Sequence, residues 1–158
     1  MPFPALRSGA PLAVLAALLL AAPAMAQAPA PSPAEFLATN AKAAGVKTLP
    51  SGVQYKVVAS GPAGPSPRVG DIIKVHYEGK LANGQVFDSS FERNRPALMP
   101  LDSLIPAWME AIPKMRVGDE WVLYVPPELG YGPDGAGPIQ PNALLIFRVK
   151  LLGMLSAD

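Results

Sequence analysis

Apolar and polar side chains alternate from Ile73 to Leu81. Ile73, Val75, Tyr77, Gly79 and Leu81 fall on one side, and Lys74, His76, Glu78 and Lys80 on the other. Asn83-Gly84 follows directly, and Val86-Phe87 opens a second run. A two-residue period puts successive side chains on opposite faces, so the stretch is a strand with one wet face. Asn-Gly tolerates the positive φ angles that a tight hairpin turn demands. The same period recurs in Val53, Tyr55 and Val57, in Trp121, Leu123 and Val125, and in Leu145, Phe147, Val149 and Leu151. The pattern predicts roughly four to six antiparallel strands. Gly61 to Pro67 is a turn region, and the chain carries 20 prolines and 14 glycines, which leaves room for few long helices.

Two helices are expected. Leu101 to Ile112 has Pro106 in its first turn, an apolar stripe of Trp108, Met109 and Ile112, and Pro113 to end it. Ser32-Pro33-Ala34-Glu35 is a capping box, so a shorter helix starts there, runs through Phe36, Leu37 and Ala41, and stops at Gly45. Strands around one central helix make an α+β fold.

The N-terminus reads as an address. Arg7 supplies positive charge, Leu12 to Ala22 is apolar, and Pro23 precedes the cleavage pattern Ala24-Met25-Ala26. These are the parts of a secretory signal peptide. The apolar run is short for a bilayer core of about 30 Å, so no stable membrane anchor is expected after cleavage. The C-terminal Leu155-Ser156-Ala157-Asp158 is no retention signal. The expected organisation is a leader over 1–26, a flexible linker and short helix over 27–50, one domain over 51–153, and a tail over 154–158. Export points to the periplasm of a bacterium. The short N-terminal helix is too small for a strong dimerisation arm, so a monomer is expected.

The available chemistry is narrow. The chain has no cysteine, which excludes disulfides, thiolate metal sites and a thiol nucleophile. Its net charge is +1 with 16% charged residues, so it lacks the basic footprint of a nucleic-acid binder. His76 is the one histidine and is read as solvent-facing or bonded to a loop rather than as a general base. Ser89 and Ser90 beside Asp88 come without a nucleophile elbow. The acids Asp71, Glu78, Asp88, Asp102 and Asp119 are scattered, without metal-ligand spacing. Gly130-Tyr131-Gly132-Pro133-Asp134-Gly135 matches a dinucleotide fingerprint by letter. Ala136-Gly137-Pro138-Ile139-Gln140-Pro141 then follows, and it cannot form the helix such a site needs. No cofactor and no metal are expected.

The order of short motifs adds a resemblance. Val75-His76-Tyr77-Glu78-Gly79-Lys80-Leu81 and Asn83-Gly84-Gln85-Val86-Phe87-Asp88-Ser89-Ser90 resemble the opening signature of the FKBP-type peptidyl-prolyl cis-trans isomerases. Pro96, Leu104-Ile105-Pro106-Ala107-Trp108, Met115-Arg116-Val117-Gly118 and Val125-Pro126-Pro127-Glu128-Leu129-Gly130-Tyr131-Gly132 continue it in order. Pro141-Asn142-Ala143, Leu145 and Phe147 close it, and Leu37-x-x-Asn40 with Ser51-Gly52-Val53-Gln54-Tyr55 is similar to the lead-in of the bacterial exported branch.

The resemblance implies a five- to six-stranded antiparallel half-barrel around a short helix. It also implies rotation about the peptide bond before proline, in unfolded or nascent exported polypeptides, with macrolide-type inhibitors as further ligands. By matching positions, Trp108 is the pocket floor. Tyr77, Phe87 and Phe147 are walls, joined by Leu104, Ile105 and Ile139. The Ile105 N–H and the Tyr131 hydroxyl hold substrate carbonyls. Asp88 stands at the edge, oriented by Tyr77 and Arg93, with an electrostatic role. The chain departs from the family pattern at Ala97 and Met99, where phenylalanine is common, at Ala107, where glycine is usual, and in a loop over 133–140 that is one residue short and has Gln140 where a proline is usual. Those departures bear on substrate preference and macrolide affinity. The same apolar cleft would also suit a non-enzymatic holdase that shields unfolded chains.

Overall fold

In the computed structural model, which describes residues 29–157, seven strands form one antiparallel sheet. The expected leader over 1–26 lies outside the described residues. The strands are β1 (Val46–Thr48), β2 (Gln54–Ala59), β3 (Ile72–Leu81), β4 (Val86–Ser89), β5 (Ala97–Pro100), β6 (Glu120–Val125) and β7 (Leu145–Leu155). They run in the order β1-β2-β6-β7-β3-β4, with β5 also paired to β3. β3 therefore carries β7 along one edge and both β4 and β5 along the other. Two helices, α1 (Pro33–Asn40) and α2 (Pro106–Ala111), complete the fold.

The alternation read from the sequence sorts the sheet into two faces. Ile73, Val75, Leu123, Val125, Val149 and Leu151 are fully buried, and with Ala107, Trp108 and Ala111 of α2 they belong to one core cluster. Burying aliphatic side chains of this size stabilises a fold by about 1.5–3 kcal/mol each. On the outer face Ile72 and Lys74 are exposed.

The count of seven strands exceeds the expected five or six. β1 is three residues long, too short to show a period. β5 follows Pro96 and ends on Pro100, a composition that reads as a break. Prolines are tolerated there because β5 pairs with β3 and lies off the main strand path. In β2 the alternation fails at its end. Val57 and Val58 are 38% and 55% exposed, because β1 covers only residues 54–56 and the register breaks between Val57 and Ala59.

The central helix is also shorter than expected. Leu101–Ser103 and Ile112–Lys114 are 3-10 turns flanking a six-residue α2. Pro106 sits at the helix start and pushes Ile105 into extended backbone (φ −59°, ψ 149°), which separates the first turn from the helix. α1 begins at the expected capping box. Ser32 Oγ accepts from the Glu35 N–H at 3.3 Å, and the Glu35 carboxylate accepts from the Ser32 N–H at 2.8 Å. The helix ends at Asn40, and tighter turns follow to Gly45 at φ +79°.

α1 docks on the sheet. Asn40 donates to the Gln54 side-chain oxygen at 2.9 Å, Gln54 donates on to the Leu37 carbonyl at 2.8 Å, and Phe36 lies 6.1 Å from the Tyr124 ring. β7 continues to Leu155, two residues past the expected domain boundary, and the Ala157 N–H donates to the Asp71 carboxylate at 3.2 Å. Among the described residues, no helix is long and apolar enough to cross a membrane.

Candidate active-site cleft

The β3–β4 hairpin builds one wall of a cleft. Gly84 takes φ +88° at the turn, the Gly84 N–H donates to the Leu81 carbonyl at 2.9 Å, and Asn83 Oδ1 accepts from the Gln85 N–H. The hairpin brings Phe87 and Asp88 back beside Gly79. Gly79 is the gap that lets the wall close. A Cβ there would lie 2.4 Å from Phe87 Cζ and 2.9 Å from Phe147 Cε1.

α2 supplies the floor. Trp108 is 3% exposed, and its ring meets Tyr77 edge-on at 5.5 Å and Phe147 at 5.4 Å. Phe87 and Phe147 form a third T-shaped pair at 5.6 Å. Edge-to-face rings add stability beyond their buried area and fix one another's orientation. The Trp108 Nε1–H is buried without a hydrogen-bond partner among the described residues, so packing alone holds the indole. The cleft encloses about 360 Å³.

The structure brings most of the expected site residues together. Tyr77, Phe87, Asp88, Leu104, Ile105, Trp108, Tyr131 and Phe147 all line the cleft. Ile139 does not. It is 6% exposed, in the core, with its backbone paired to Ala136. Arg93 stands outside the lining and reaches the cleft through Asp88 and Tyr77. Met99 and Ser103 line it as well. In the sequence Met99 shows only as a departure from a family pattern, because the prolines around β5 hide the strand's period. No sequence signal marked Ser103. A glycine inside an alternating strand was the readable sign for Gly79.

Asp88 is the electrostatic centre. The Tyr77 hydroxyl donates to one carboxylate oxygen, Arg93 donates to the other at 2.5 Å, and Arg93 also reaches the Tyr77 oxygen at 3.3 Å. Burial pushes the Asp88 carboxyl up. The hydrogen bonds from Tyr77 and Arg93 and the Arg93 charge outweigh it and hold the group below its ordinary value. Burial and the bond to Asp88 push the Tyr77 phenol above its ordinary value, so it stays a donor.

At the mouth, the Ile105 N–H and the Tyr131 hydroxyl make no hydrogen bond among the described residues. Both are donors available to a bound carbonyl. His76 lies behind the wall, bonded to Ser90 Oγ at 2.9 Å and stacked on Phe91. Among the described residues, no three His, Asp or Glu side chains converge as metal ligands. Gly130 to Gly135 runs through turns, with Gly132 at φ +59° and Gly135 at φ +65°, and no helix follows.

The sequence model described as FKBP-type peptidyl-prolyl cis-trans isomerase matches residues 64–152. The model described as the domain amino terminal to that isomerase matches residues 17–57. The chain is 51% identical over 120 residues to a peptidyl-prolyl cis-trans isomerase Mip of Coxiella burnetii, covering 75% of this chain and 52% of that protein. It is 41% identical over 123 residues to an outer membrane protein MIP of Legionella longbeachae, covering 77% of this chain and 52% of that one. It thus spans about half the length of these relatives. The crystal structure of FkpA from Escherichia coli superposes with a TM-score of 0.76 at 39% identity, covering 80% of this chain and 59% of that one.

Proposed function

The chain belongs to the FKBP-type peptidyl-prolyl cis-trans isomerases, and from that premise we propose that its cleft rotates the peptide bond before proline in exported polypeptides, in the periplasm. The observation that carries this reading is the box of Trp108, Tyr77, Phe87 and Phe147, set edge to face around a space that suits a proline ring.

An X–Pro bond turns slowly because a barrier of about 18–20 kcal/mol protects its partial double bond. No covalent bond has to break, so binding and electrostatics suffice. The planar amide owes its stiffness to a charge-separated resonance form, which a dry aromatic pocket disfavours relative to the twisted amide. Walls that grip the ring only in the twisted geometry bind the transition state better than the ground state. Each tenfold of rate needs about 1.4 kcal/mol of that difference.

The Ile105 N–H and Tyr131 hydroxyl are placed to hold the substrate carbonyls on either side. Asp88, kept ionised by Tyr77 and Arg93, is a poor base. It acts as a fixed negative charge at the cleft edge, beside the nitrogen end of the turning amide. The apolar floor also supports macrolide-type inhibitors as competitors for the cleft. The leader pattern of Met1–Ala26 supports export.

The test is isomerisation of a proline-containing peptide by the chain without residues 1–26. Catalysis above buffer is expected, with Asp88→Ala and Tyr131→Phe each slower. A rate no better than buffer sinks the proposal. Suppression of aggregation that survives both substitutions, without catalysis, would instead mark a holdase.

A further inference from the structure

Arg93 reaches Asp88 from a turn over residues 90–94 that leaves the end of β4 and folds back across the outer face of β3. The side chain is long and 52% exposed, and a lone pair of that kind is weakly held in water. Something must keep the turn in place for Arg93 to stay on Asp88 and Tyr77.

The root of the turn is Ser90, which is fully buried. Its N–H donates to the Tyr77 carbonyl at 2.9 Å, and its Oγ accepts from the Tyr77 N–H at 2.7 Å while lying 2.9 Å from His76 Nδ1. The next residue is Phe91. Its ring stacks on His76 at 4.8 Å with a 17° interplanar angle, and the Arg148 guanidinium sits 4.8 Å from its centroid. Arg148 is in turn held by Glu120 at 2.5 Å across β6 and β7. The turn closes at Asn94, whose N–H donates to the Phe91 carbonyl at 2.9 Å with φ at 48°.

We propose that Phe91 is a positioning residue for the isomerase site: clamped between outward side chains of β3 and β7, it fixes the turn that carries Arg93 and so holds Asp88 and Tyr77 in register at the cleft. Phe91 is absent from the cleft lining and acts only through Arg93. The clamp ties the reaction edge to the outer face of the sheet, opposite the core. Backbone bonds tie the turn at Ser90, Asn94 and Arg95, and aromatic stacking with a cation on the same ring adds an anchor for the side chain that precedes Glu92 and Arg93.

The inference rests on the isomerase reading of the cleft, so its test has two readouts. The full chain and its variants are compared for kcat/KM on a proline-containing peptide and for Asp88 titration by carboxyl NMR. Phe91→Ala is expected to lower kcat/KM by about 2- to 5-fold, the range of an exposed ion pair, as Arg93→Ala does. The double variant falls no further than Arg93→Ala, because both changes break one linkage. Phe91→Tyr restores the rate. Phe91→Ala also raises the Asp88 pKa toward the ordinary carboxylate value. Arg148→Gln, which keeps the β7 pairing, moves both readouts the same way by less.

Losses that multiply in the double variant would overturn the proposal, as would an unmoved Asp88 titration in both Phe91→Ala and Arg148→Gln. Should the unaltered chain be no faster than buffer, the isomerase reading falls, and the Asp88 titration still decides whether the clamp exists.

Discussion

Gly79→Ala changes one hydrogen into a methyl at the one point of β3 where the cleft walls meet. The new Cβ falls 2.4 and 2.6 Å from Phe87 Cζ and Cε2, and 2.9 Å from Phe147 Cε1. Carbon atoms rest about 3.5–4.0 Å apart, so the rings must retreat by more than about 1 Å. The backbone cannot yield instead, because Gly79 pairs with Asp88 on β4 and Phe147 on β7. Overpacking of this kind costs about 1–3 kcal/mol. Alanine stiffens the unfolded chain, which offsets about 0.4–1 kcal/mol at an unstrained position. The expected net loss, read by urea unfolding, is therefore about 1–2 kcal/mol. Activity suffers more, since a misplacement of about 1 Å in a binding wall can cost roughly 100-fold. We expect kcat/KM for a proline-containing peptide to fall by about 10- to 100-fold. Gly153→Ala is the control. Its Cβ meets Lys74 Cβ at 4.0 Å, an ordinary contact, so stability should stay within about 0.5 kcal/mol and the rate should not change. A Gly79→Ala chain within two-fold of the unaltered rate, or one no different from Gly153→Ala, would refute the reasoning.

Gly135→Ala puts a Cβ 2.3 Å from the Ile139 carbonyl oxygen at φ +65°, and its three nearest neighbours are all backbone atoms; unfolding should show a loss of at least about 1–2 kcal/mol, the left-handed penalty alone. Asp119 accepts from the Gly61 N–H at 2.6 Å and the Arg116 N–H at 3.0 Å; Asp119→Ala strands both donors and should cost about 1–3 kcal/mol in urea unfolding. The folded-state pKa of Asp88 is depressed, so its contribution to stability is present above the unfolded value of 3.8 and is lost as pH falls through the lower folded one. Tyr77→Phe should raise the Asp88 titration in carboxyl NMR. Tyr77 is shifted the other way, so its contribution is present below 10.0 and is lost as pH rises through its higher folded pKa; Asp88→Ala should bring its absorbance titration down.

The long strands were legible because their two faces meet different solvents. β3, β6 and β7 lie between other strands, with the core on one side, and each shows its period. The hairpin was legible because Asn83-Gly84 has one use. β5 was not, because its inward residues are only Ala97 and Met99 and prolines bracket it. The helix was overextended because an apolar stripe does not distinguish a 3-10 turn from an α-helix, and Pro106 divides the two. Ordered family motifs carried the aromatic box and the Tyr77–Asp88–Arg93 group. Ile139 stands apart from the rest of that set, in the core cluster after a tight turn at Gly135 to Gly137. The Phe91 clamp depends on three strands meeting across some seventy residues of chain, and no local pattern encodes it.

β7 lies between β6 and β3, and its partners are registered from Leu145 to Leu155. Among the described strands it is the last in chain order, so a ribosome makes it after the others. Until Leu145 and the residues after it are free, β3 and β6 have nothing between them, and Phe147 is missing from the cleft. Contacts over such sequence distances form slowly and late. The sheet is thus withheld until β7 is free to join it, and a chain cut short before residue 145 would present two unjoined half-sheets with bare edges, the kind of surface on which chains aggregate.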